Sequence, residues 1–426
     1  MTPEVLITGL GIVSPIGVGR DEVWESIQAR RSGVTRIEEL ERAGWPTPIG
    51  GSIDNFDPKA HVKPRKSLKV MSRETQLAFA AGELAWADAG LEESEVDPER
   101  LGVIGAAGLQ FCPLEELADP MGKSLNGSGA FDMVEWGASG MGQLFPLWML
   151  KYLPNMAACH VGIRRQAFGP TNTISLGEVS SLVAVGEALE IVRRGAADMM
   201  LAGGTSSKID VTDLVFHAGA GLSKRGDDPS AACRPFDADR DGAVCGEGAA
   251  YFVLETRDHA ERRGFFQRGG TPWARIDSVV SRFEPVIASR APTGAALQKA
   301  AAASLQQAAV DAKDLSMVKA HGVSRVEADA AEARALSEVV GDVPVTAPTS
   351  YTGSIGAACG AVELASALIA WREGLVPATL NHETPDPACP VNVASEHRTT
   401  SGQSLLAVNQ AVTGQAVAAT LSKVEP

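Results

Sequence analysis

The feature that most constrains the fold is a repeated order of strand and helix signals along the 426-residue chain. The first half has short β-rich segments and amphipathic helical patterns in alternation, at 5–8, 75–89, 101–107, 180–194 and 198–202. The second half repeats the alternation at 295–311, 315–320, 328–340, 343–347 and 357–373, and a hairpin pattern follows at 405–409 and 417–421. Because alternating strands and helices form sheets covered by helices, the sequence predicts an α/β protein with two related sheets.

The best candidate for a boundary between the halves is a polar helix at 257–263 followed by a Gly269-Gly270 turn. We therefore predict an N-terminal half at 1–255 and a C-terminal half at 256–426. Residues 108–168 carry Gly, Pro, Met and Trp without a steady period. That composition predicts an insertion that covers one end of the first sheet as a cap.

Charge and hydropathy exclude several classes of partner. The formal net charge of −14 would repel phosphate backbones, so we expect no nucleic-acid partner. No predominantly apolar run reaches the ~18 residues of a membrane span, and the N-terminus lacks the cationic start and cleavage site of a secretory signal. A cytoplasmic protein without a membrane partner is expected.

Neither a metal nor a cofactor is predicted from the motifs. The six cysteines have no C-x-x-C pair and no metal-ligand spacing. The Gly9-Leu10-Gly11 run has Ser14 where a dinucleotide fingerprint needs its third glycine. A calcium-like loop begins at Asp237, but its glutamate falls one residue early, at Glu247.

Six segments together resemble the β-ketoacyl-acyl-carrier-protein synthases of the elongating type II class. In chain order they are LITGLGIVSPIG, KVMSRETQLAFAAGELAWADAGL, LPNMAA, CRPFDADRDGAVCGEGA, KAHG and YTGSIGAACGAVE, and they extend over essentially the whole chain. The resemblance implies a thiolase-like fold, in which two related βαβαβαββ halves stack as five layers. It also implies a dimer.

That family condenses acyl groups with a cysteine nucleophile, two histidines, a lysine and a gating phenylalanine. By resemblance, the first histidine is kept as His321. The other four positions carry different residues: Glu178 for the cysteine, Ser354 for the second histidine, Thr349 for the lysine and Thr413 for the phenylalanine. The supporting acids of the family are kept as Asp329, Glu332 and Glu363.

The missing cysteine has the largest chemical consequence. A thiolate at a helix N-terminus accepts an acyl chain as a thioester, whereas Glu178 could form only an anhydride. We therefore expect no condensation through position 178. Decarboxylation is also disfavoured, because one histidine is gone and an anionic Glu178 would oppose both a malonyl carboxylate and an enolate. We further expect Glu178 and His321 to form an ion pair that plugs the old site.

This pattern of losses, with the scaffold motifs retained, resembles a chain-length factor, the non-condensing subunit that pairs with an active ketosynthase. Known chain-length factors usually carry glutamine at the cysteine position, so Glu178 is a departure. Two alternatives remain open. One is an enzyme of altered mechanism that uses Glu178 and His321 on a carrier-bound or free acyl substrate. The other is a homodimeric module that binds carrier protein and performs no reaction.

A basic segment stands out on this acidic chain. Residues 59–73 contain six Lys or Arg residues and no Asp or Glu. A solvated charged face would account for this pattern, but the family uses a basic cluster at this place to receive acidic acyl carrier protein. Arg65, Lys66 and Lys69 are the predicted docking residues. The predicted partners are therefore acyl carrier protein and a ketosynthase-fold subunit, in a homodimer or a heterodimer.

Overall fold

The fold is described from a computed structural model over residues 3–219, 221–286 and 291–424. Its main sheet has eleven strands. Ten of them carry the repeat: β1 (Val5–Ser14), β2 (Leu101–Ala106), β3 (Thr171–Ile174), β4 (Met199–Ser207), β5 (Glu247–Thr256), β6 (Ala274–Phe283), β7 (Leu315–Lys319), β8 (Val345–Thr346), β9 (Ser404–Gln410) and β10 (Gln415–Ser422). Gly17–Val18 adds a short strand beside β1.

The strand order reflects two equivalent groups of five strands. Along the sheet the order is β8, β7, β9, β10, β6, β1, β5, β4, β2 and β3. The two groups meet where β1 and β6 pair antiparallel through Leu6 with Arg275 and Ile7 with Ala274. Strands β9 and β10 form the predicted antiparallel hairpin. Each group thus runs outward from the β1–β6 junction in a corresponding order.

Six helices complete the repeat: α1 (Arg73–Asp88), α2 (Met156–Arg165), α3 (Ser180–Arg193), α4 (Ala295–Ala308), α5 (Val326–Val340) and α6 (Cys359–Arg372). Every residue from Cys359 to Trp371 is buried, so α6 lies inside the protein rather than on its surface. It packs against α3, where the Ala361 N–H donates to Ser181 Oγ at 2.9 Å. Helices α3 and α6 thus form a central layer.

Alternation along the strands separates the central layer from the two outer ones. On β9, Leu405 and Ala407 pack in the cluster that contains α3 and α6. Leu406 and Val408 point the other way, into the cluster built by α4 and α5. Helices α1 and α2 pack with the outer face of the first strand group. The resulting sequence of helix, sheet, helix, sheet and helix confirms the predicted five-layer thiolase-like α/β fold.

One predicted loop is part of a strand. The sequence indicated that β1 ends before the Gly9-Leu10-Gly11 run, but the strand continues to Ser14. The glycines are required because α1 crosses this strand closely. A Cβ at Gly11 would lie 2.0 Å from the Ala81 carbonyl oxygen, and one at Gly9 would lie 2.3 Å from that of Ala85. Glycine here serves helix packing rather than a turn.

The cap predicted at 108–168 lies between β2 and β3. Besides α2 it contains the helices Leu114–Gly122 and Met133–Glu135, a π-helical segment Trp136–Gly140, and 3-10 turns at Met141–Gln143 and Trp148–Lys151. Many of its apolar side chains are exposed, among them Leu109, Leu114, Met133, Val134 and Met149. In the part of the chain described, no helix combines the length and apolar character needed to cross a membrane.

The remaining elements are short. Further helices are Arg20–Gln28, Glu38–Arg42, Pro58–His61, Val211–Ala218, Arg257–Arg262 and Thr349–Thr352. The 3-10 turns outside the cap are Arg65–Val70, Glu93–Glu95, Pro98–Arg100, Gly177–Val179, Pro229–Ala231, Ala312–Asp314 and Gly356–Ala358. Two small antiparallel pairs join Val34–Arg36 with Ile49–Gly51 and Leu375–Val376 with Arg398–Thr399.

Candidate active site

Glu178 lies where the sequence places it, at the start of a central helix. The turn Gly177–Val179 leads directly into α3, and Gly177 has a φ of +65° that favours glycine. The Glu178 side chain is only 13% exposed. A carboxylate at this position is close to the positive end of the helix.

The counter-ion of Glu178 is Lys208, a residue that sequence analysis missed. Lys208 directly follows β4, and its Nζ lies 3.6 Å from Glu178 Oε1. The absence of a side chain at Gly356 makes room for it, since a Cβ there would lie 2.2 Å from Lys208 Cε. Burial raises the pKa of Glu178, but the charges of Lys208, His321 and Arg325 outweigh burial and hold that pKa at about 2. Glu178 is therefore ionised.

The predicted ion pair between Glu178 and His321 is wrong. His321 Nδ1 instead lies 3.0 Å from Glu363 Oε1, and Glu178 pairs with Lys208. No motif indicated Lys208, because it reaches Glu178 from the end of another strand. The physical reason is that each of the two residues has another partner close by: Lys208 lies beside Glu178, and Glu363 lies beside His321.

Glu363 is the centre of a buried hydrogen-bond network. It accepts from Lys319 Nζ at 2.7 Å, Asn409 Nδ2 at 2.8 Å and Thr349 Oγ1 at 2.9 Å, in addition to its contact with His321. Burial raises the pKa of Glu363, but Lys319 and His321 more than compensate and hold it at about 2. Thr349, which the resemblance assigns to the family lysine position, thus contacts the acid that holds His321 Nδ1. Lys319 and Asn409 were not singled out from the sequence.

The backbone at His321 is held by two buried acids. Glu332 accepts from the N–H groups of His321 and Gly322 at 2.7 and 2.8 Å. Asp329 accepts from the next two N–H groups at 2.9 and 3.1 Å. Burial lowers the pKa of His321, but the negative charges of Glu363 and Glu332, with the hydrogen bond to Glu363, together raise it by more. The pKa of His321 therefore lies above its ordinary value. Among the described residues, Nε2 of this buried imidazole has no hydrogen-bond partner.

Three of the five predicted catalytic positions line one small cavity. Glu178, His321 and Ser354 border a space of about 30 Å³. Thr349 lies behind His321, where its hydroxyl is 2.6 Å from the His321 carbonyl oxygen. Thr413 is exposed in the turn between β9 and β10 and does not border the cavity. The structure therefore brings together the positions assigned to the nucleophile and the two histidines, but not the one assigned to the gate.

One trio of side chains has the spacing of metal ligands but the wrong surroundings. Ligand atoms of His321, Cys359 and Glu363 lie within 4.8 Å of one another. However, the Lys319 ammonium already neutralises Glu363, and burial raises the pKa of the Cys359 thiol. A cation would have to displace that ammonium, so these residues do not fit a metal ion.

The basic segment at 59–73 divides into surface and structural residues. Arg65, Lys66 and Lys69 are exposed on the turn Arg65–Val70, as a docking role requires. Arg73 has a different role, because its guanidinium lies 2.8 Å from buried Glu247 at the start of β5. Arg73 also borders a cleft of about 740 Å³ that the sequence did not indicate.

Comparisons with known proteins identify relatives over the whole chain. The family model for the N-terminal domain of β-ketoacyl synthases matches residues 2–260, and that for the C-terminal domain matches residues 274–383. The chain is 33% identical to the tetracenomycin polyketide synthase ketoacyl synthase alpha subunit of Streptomyces glaucescens, over 99% of this chain and 97% of the relative. It is also 33% identical to the beta subunit of that synthase, over 91% and 90%.

Solved structures support the same relationship. A β-ketoacyl synthase from Burkholderia phymatum has 29% identity and a TM-score of 0.87, with coverage of 99% and 100%. A type II polyketide synthase acyl-carrier protein in complex with its ketosynthase, AntDE:AntF, gives 27% identity and a TM-score of 0.82 over all of both chains. The ishigamide ketosynthase/chain length factor is similar in fold, with 24% identity, a TM-score of 0.84 and full coverage.

Proposed function

This chain belongs to the β-ketoacyl synthase family, and from that premise we propose that it is a non-condensing subunit that works beside an active ketosynthase. Its homologues support a ketosynthase-like role in polyketide or fatty acid synthesis. The finer assignment is a partner of the chain-length-factor kind. Overall similarity does not decide it, because the identity to the alpha and the beta subunit of one synthase is equal at 33%. The residues of the site must carry the distinction.

The observation that carries the proposal is the Glu178–Lys208 pair at the start of α3. A condensing enzyme needs a nucleophile there that holds an acyl chain as a thioester. A carboxylate bound to an ammonium is a weak nucleophile, and an anhydride formed on it would not transfer readily to a carrier thiol. The adjoining cavity of about 30 Å³ has room for about two waters, far less than an acyl chain requires.

Two kinds of partner follow from this proposal. A ketosynthase-fold subunit would supply the missing chemistry, and the exposed apolar side chains of the cap are suited to a protein contact. Acyl carrier protein is the second partner, and Arg65, Lys66 and Lys69 would receive its acidic surface. The acyl-carrier protein solved in complex with its ketosynthase gives a precedent for binding between these two kinds of protein.

The test is to incubate the chain with malonyl- and acyl-carrier protein, with and without candidate ketosynthase subunits, and to analyse products and protein by mass spectrometry. We expect no product and no acylated protein from the chain alone, and product when an active partner is present. Turnover by the chain alone that disappears in Glu178→Ala would refute the proposal.

A second candidate function has one observation in its favour. His321 Nε2 has no partner among the described residues and borders the same cavity as Glu178. An enzyme of altered mechanism could therefore use Glu178 as a general base or acid and His321 as an oxyanion donor. In the same incubation, hydrolysed or decarboxylated carrier-bound substrate in the absence of any partner would favour this alternative.

A further inference from the structure

We propose that His321 and Arg325 form a binding subsite for one small carboxylate group in the cavity beside Glu178. Both residues border that cavity, and each has a buried side-chain nitrogen without a hydrogen-bond partner among the described residues. The inference deepens the proposed function and rests on it for the source of the ligand. The binding itself requires no reaction.

The charges around the cavity leave a positive excess. Two carboxylates are matched one to one, because Glu178 pairs with Lys208 and Glu363 pairs with Lys319. Glu332 also borders the cavity, with both oxygens taken up by backbone N–H groups. When every group is ionised, four cations face three carboxylates, since His321 and Arg325 add two positive charges to the matched pairs. The cluster therefore has one positive charge in excess, which a single bound carboxylate would neutralise.

Two hydrogen-bond donors at the cavity also lack acceptors among the described residues. Within the described residues, His321 Nε2 and Arg325 Nε are both buried and have no hydrogen-bond partner. His321 is only 3% exposed, and its Nδ1 is already occupied by Glu363. A buried donor without an acceptor is destabilising, and more so when it is charged. An anionic oxygen bound between these two donors would remove that cost.

The size of the cavity also suits a small anion. The cavity volume of about 30 Å³ corresponds to about two waters, which is close to the size of one carboxylate group. Ser354 and Gln410 add polar side chains to its wall, and Val323 and Ala411 add apolar ones. A bulkier anionic group would not fit. The subsite should therefore accept formate or the end of a slender acyl chain and reject large anions.

The pairing of Glu178 with Lys208 reduces the repulsion that we expected Glu178 to exert on a carboxylate. Arg325 stands where the family motif H-G-T-S-T ends in threonine, so its guanidinium is a feature of this chain. A guanidinium binds carboxylates through a planar fork of donors. The site has thus lost a nucleophile and gained a carboxylate-binding side chain.

Isothermal titration of the full-length protein with sodium formate tests the subsite. We expect saturable binding at one site per chain, weakened about tenfold or more in Arg325→Gln, because a hydrogen bond to a charged group is lost. Arg334→Gln is the matched control, an exposed arginine on α5 that should leave binding unchanged. Glu178→Gln should tighten binding several-fold, because it removes a negative charge from the cavity wall. A merely structural role for Glu178 would not produce that gain.

The proposal is overturned if the folded wild-type protein shows no saturable formate binding, or if Arg325→Gln and Arg334→Gln bind equally well. A structure of crystals soaked in sodium bromide gives an independent readout, because an anomalous peak beside His321 and Arg325 would locate the anion. That peak is expected in the wild type and in Arg334→Gln, and should be absent in Arg325→Gln.

The source of the carboxylate is resolved by a second comparison. Carrier protein loaded with a malonyl group and the same carrier loaded with an acetyl group differ by one terminal carboxylate. Tighter binding of the malonyl form, lost in Arg325→Gln, would identify a carrier-borne ligand. Equal binding of the two forms, with saturable formate binding, would identify a free carboxylate. Turnover by the chain alone would refute the proposed function without affecting formate binding, so the two failures are distinguishable.

Discussion

Glu178 and Lys208 are both largely buried, with 13% of each side chain exposed. A buried charge that loses its partner is strongly destabilising, because it keeps the cost of desolvation without the compensating attraction. The attraction between Glu178 and Lys208 therefore stabilises the folded protein, in addition to setting the charge of the candidate site. The same reasoning explains why the charge at position 178 is tolerated in a central layer.

The pair gives a direct test at the level of one residue. Lys208→Met should lower the free energy of unfolding by about 3 kcal/mol, because Glu178 is left buried without its counter-ion. Chemical denaturation at neutral pH measures the change. In the double variant Lys208→Met/Glu178→Gln the isolated charge is gone, so most of the loss should be recovered. Equal stability of the single and the double variant would contradict the assignment of this pair.

Glu74, at the start of α1, predicts a pH dependence of stability. Burial raises its pKa to about 7 from an ordinary value of 4.5. Between these two values the unfolded chain releases the proton while the folded chain retains it. The contribution of Glu74 to the free energy of unfolding therefore falls as the pH rises from about 4.5 to 7, and stays low above that range.

Glu74→Gln should remove this effect. The free energy of unfolding of the variant, measured relative to the wild type, should increase by up to about 3 kcal/mol between pH 4.5 and pH 8. Thermal or chemical denaturation at the two pH values measures the gain. Glu373→Gln, at an exposed position, is the control for the Glu-to-Gln substitution itself. A Glu74→Gln gain that is independent of pH would show that burial does not perturb this carboxyl.

At the scale of elements, the two halves place equivalent turns at the centre of the molecule. Gly177–Val179 leads into α3 and Gly356–Ala358 leads into α6, and the first glycine of each turn has a positive φ, +65° and +63°. The residue after that glycine is Glu178 in one half and Ala357 in the other. The repeat therefore builds two similar helix starts, of which only the first carries an acid.

The contact between α1 and β1 yields an element-scale prediction. Gly11→Ala would bring a Cβ to 2.0 Å from the Ala81 carbonyl oxygen, within the backbone of α1. Since neither element can move alone, the free energy of unfolding should fall by about 3 kcal/mol or more. Gly122→Ala, with open space at the new Cβ, is the control and should be nearly neutral. Denaturation curves for the two variants give the comparison, and equal effects would refute the close packing.

Most repeat elements were predictable because their period and their breakers are local signals. Helix α3 was expected at 180–194 and occupies Ser180–Arg193, and α6 was expected at 357–373 and occupies Cys359–Arg372. The end of β1 was predicted wrongly at its glycine run. A glycine required by a crossing helix has the same local signature as one required by a turn. The boundary between 1–255 and 256–426 stays a prediction.

For the whole molecule, the proposed function depends on surfaces that a single chain leaves uncovered. The cap exposes Leu114, Met133, Val134 and Met149, each at least 60% accessible. The basic turn at Arg65–Val70 lies on a chain of net charge −14, so it is a local exception to a repulsive field. Under the proposed function, a ketosynthase-fold partner would contact the cap, and an acidic carrier protein would contact the basic turn.

Charge reversal tests the carrier surface. Replacement of Arg65, Lys66 and Lys69 by Glu should abolish salt-sensitive binding of acyl carrier protein, because like charges then face each other. Binding measured at several salt concentrations reports the loss. The control reverses three exposed basic residues on other surfaces: Arg194, Lys299 and Arg334. Unchanged binding by the first variant, or equal loss in both, would refute the assignment.

Consecutive residues were enough to predict the fold class, the family and the position of the candidate site. Strand and helix periods, and motifs such as the Arg234–Gly248 segment, are written in consecutive residues, so they can be read without coordinates. Glu178 at the start of a helix and His321 beside its supporting acids were predictable for the same reason.

Which charged side chains pair with one another depends on the tertiary structure and could not be predicted from the sequence. Lys208 with Glu178, Lys319 with Glu363, and Arg325 without an acceptor among the described residues are facts of the assembled core. Each contact joins residues far apart in the chain, and no local pattern specifies which ammonium approaches which carboxylate. The physical reason is that pairing in a buried site depends on distances of a few ångströms, and folding sets those distances after the sequence pattern has selected the elements.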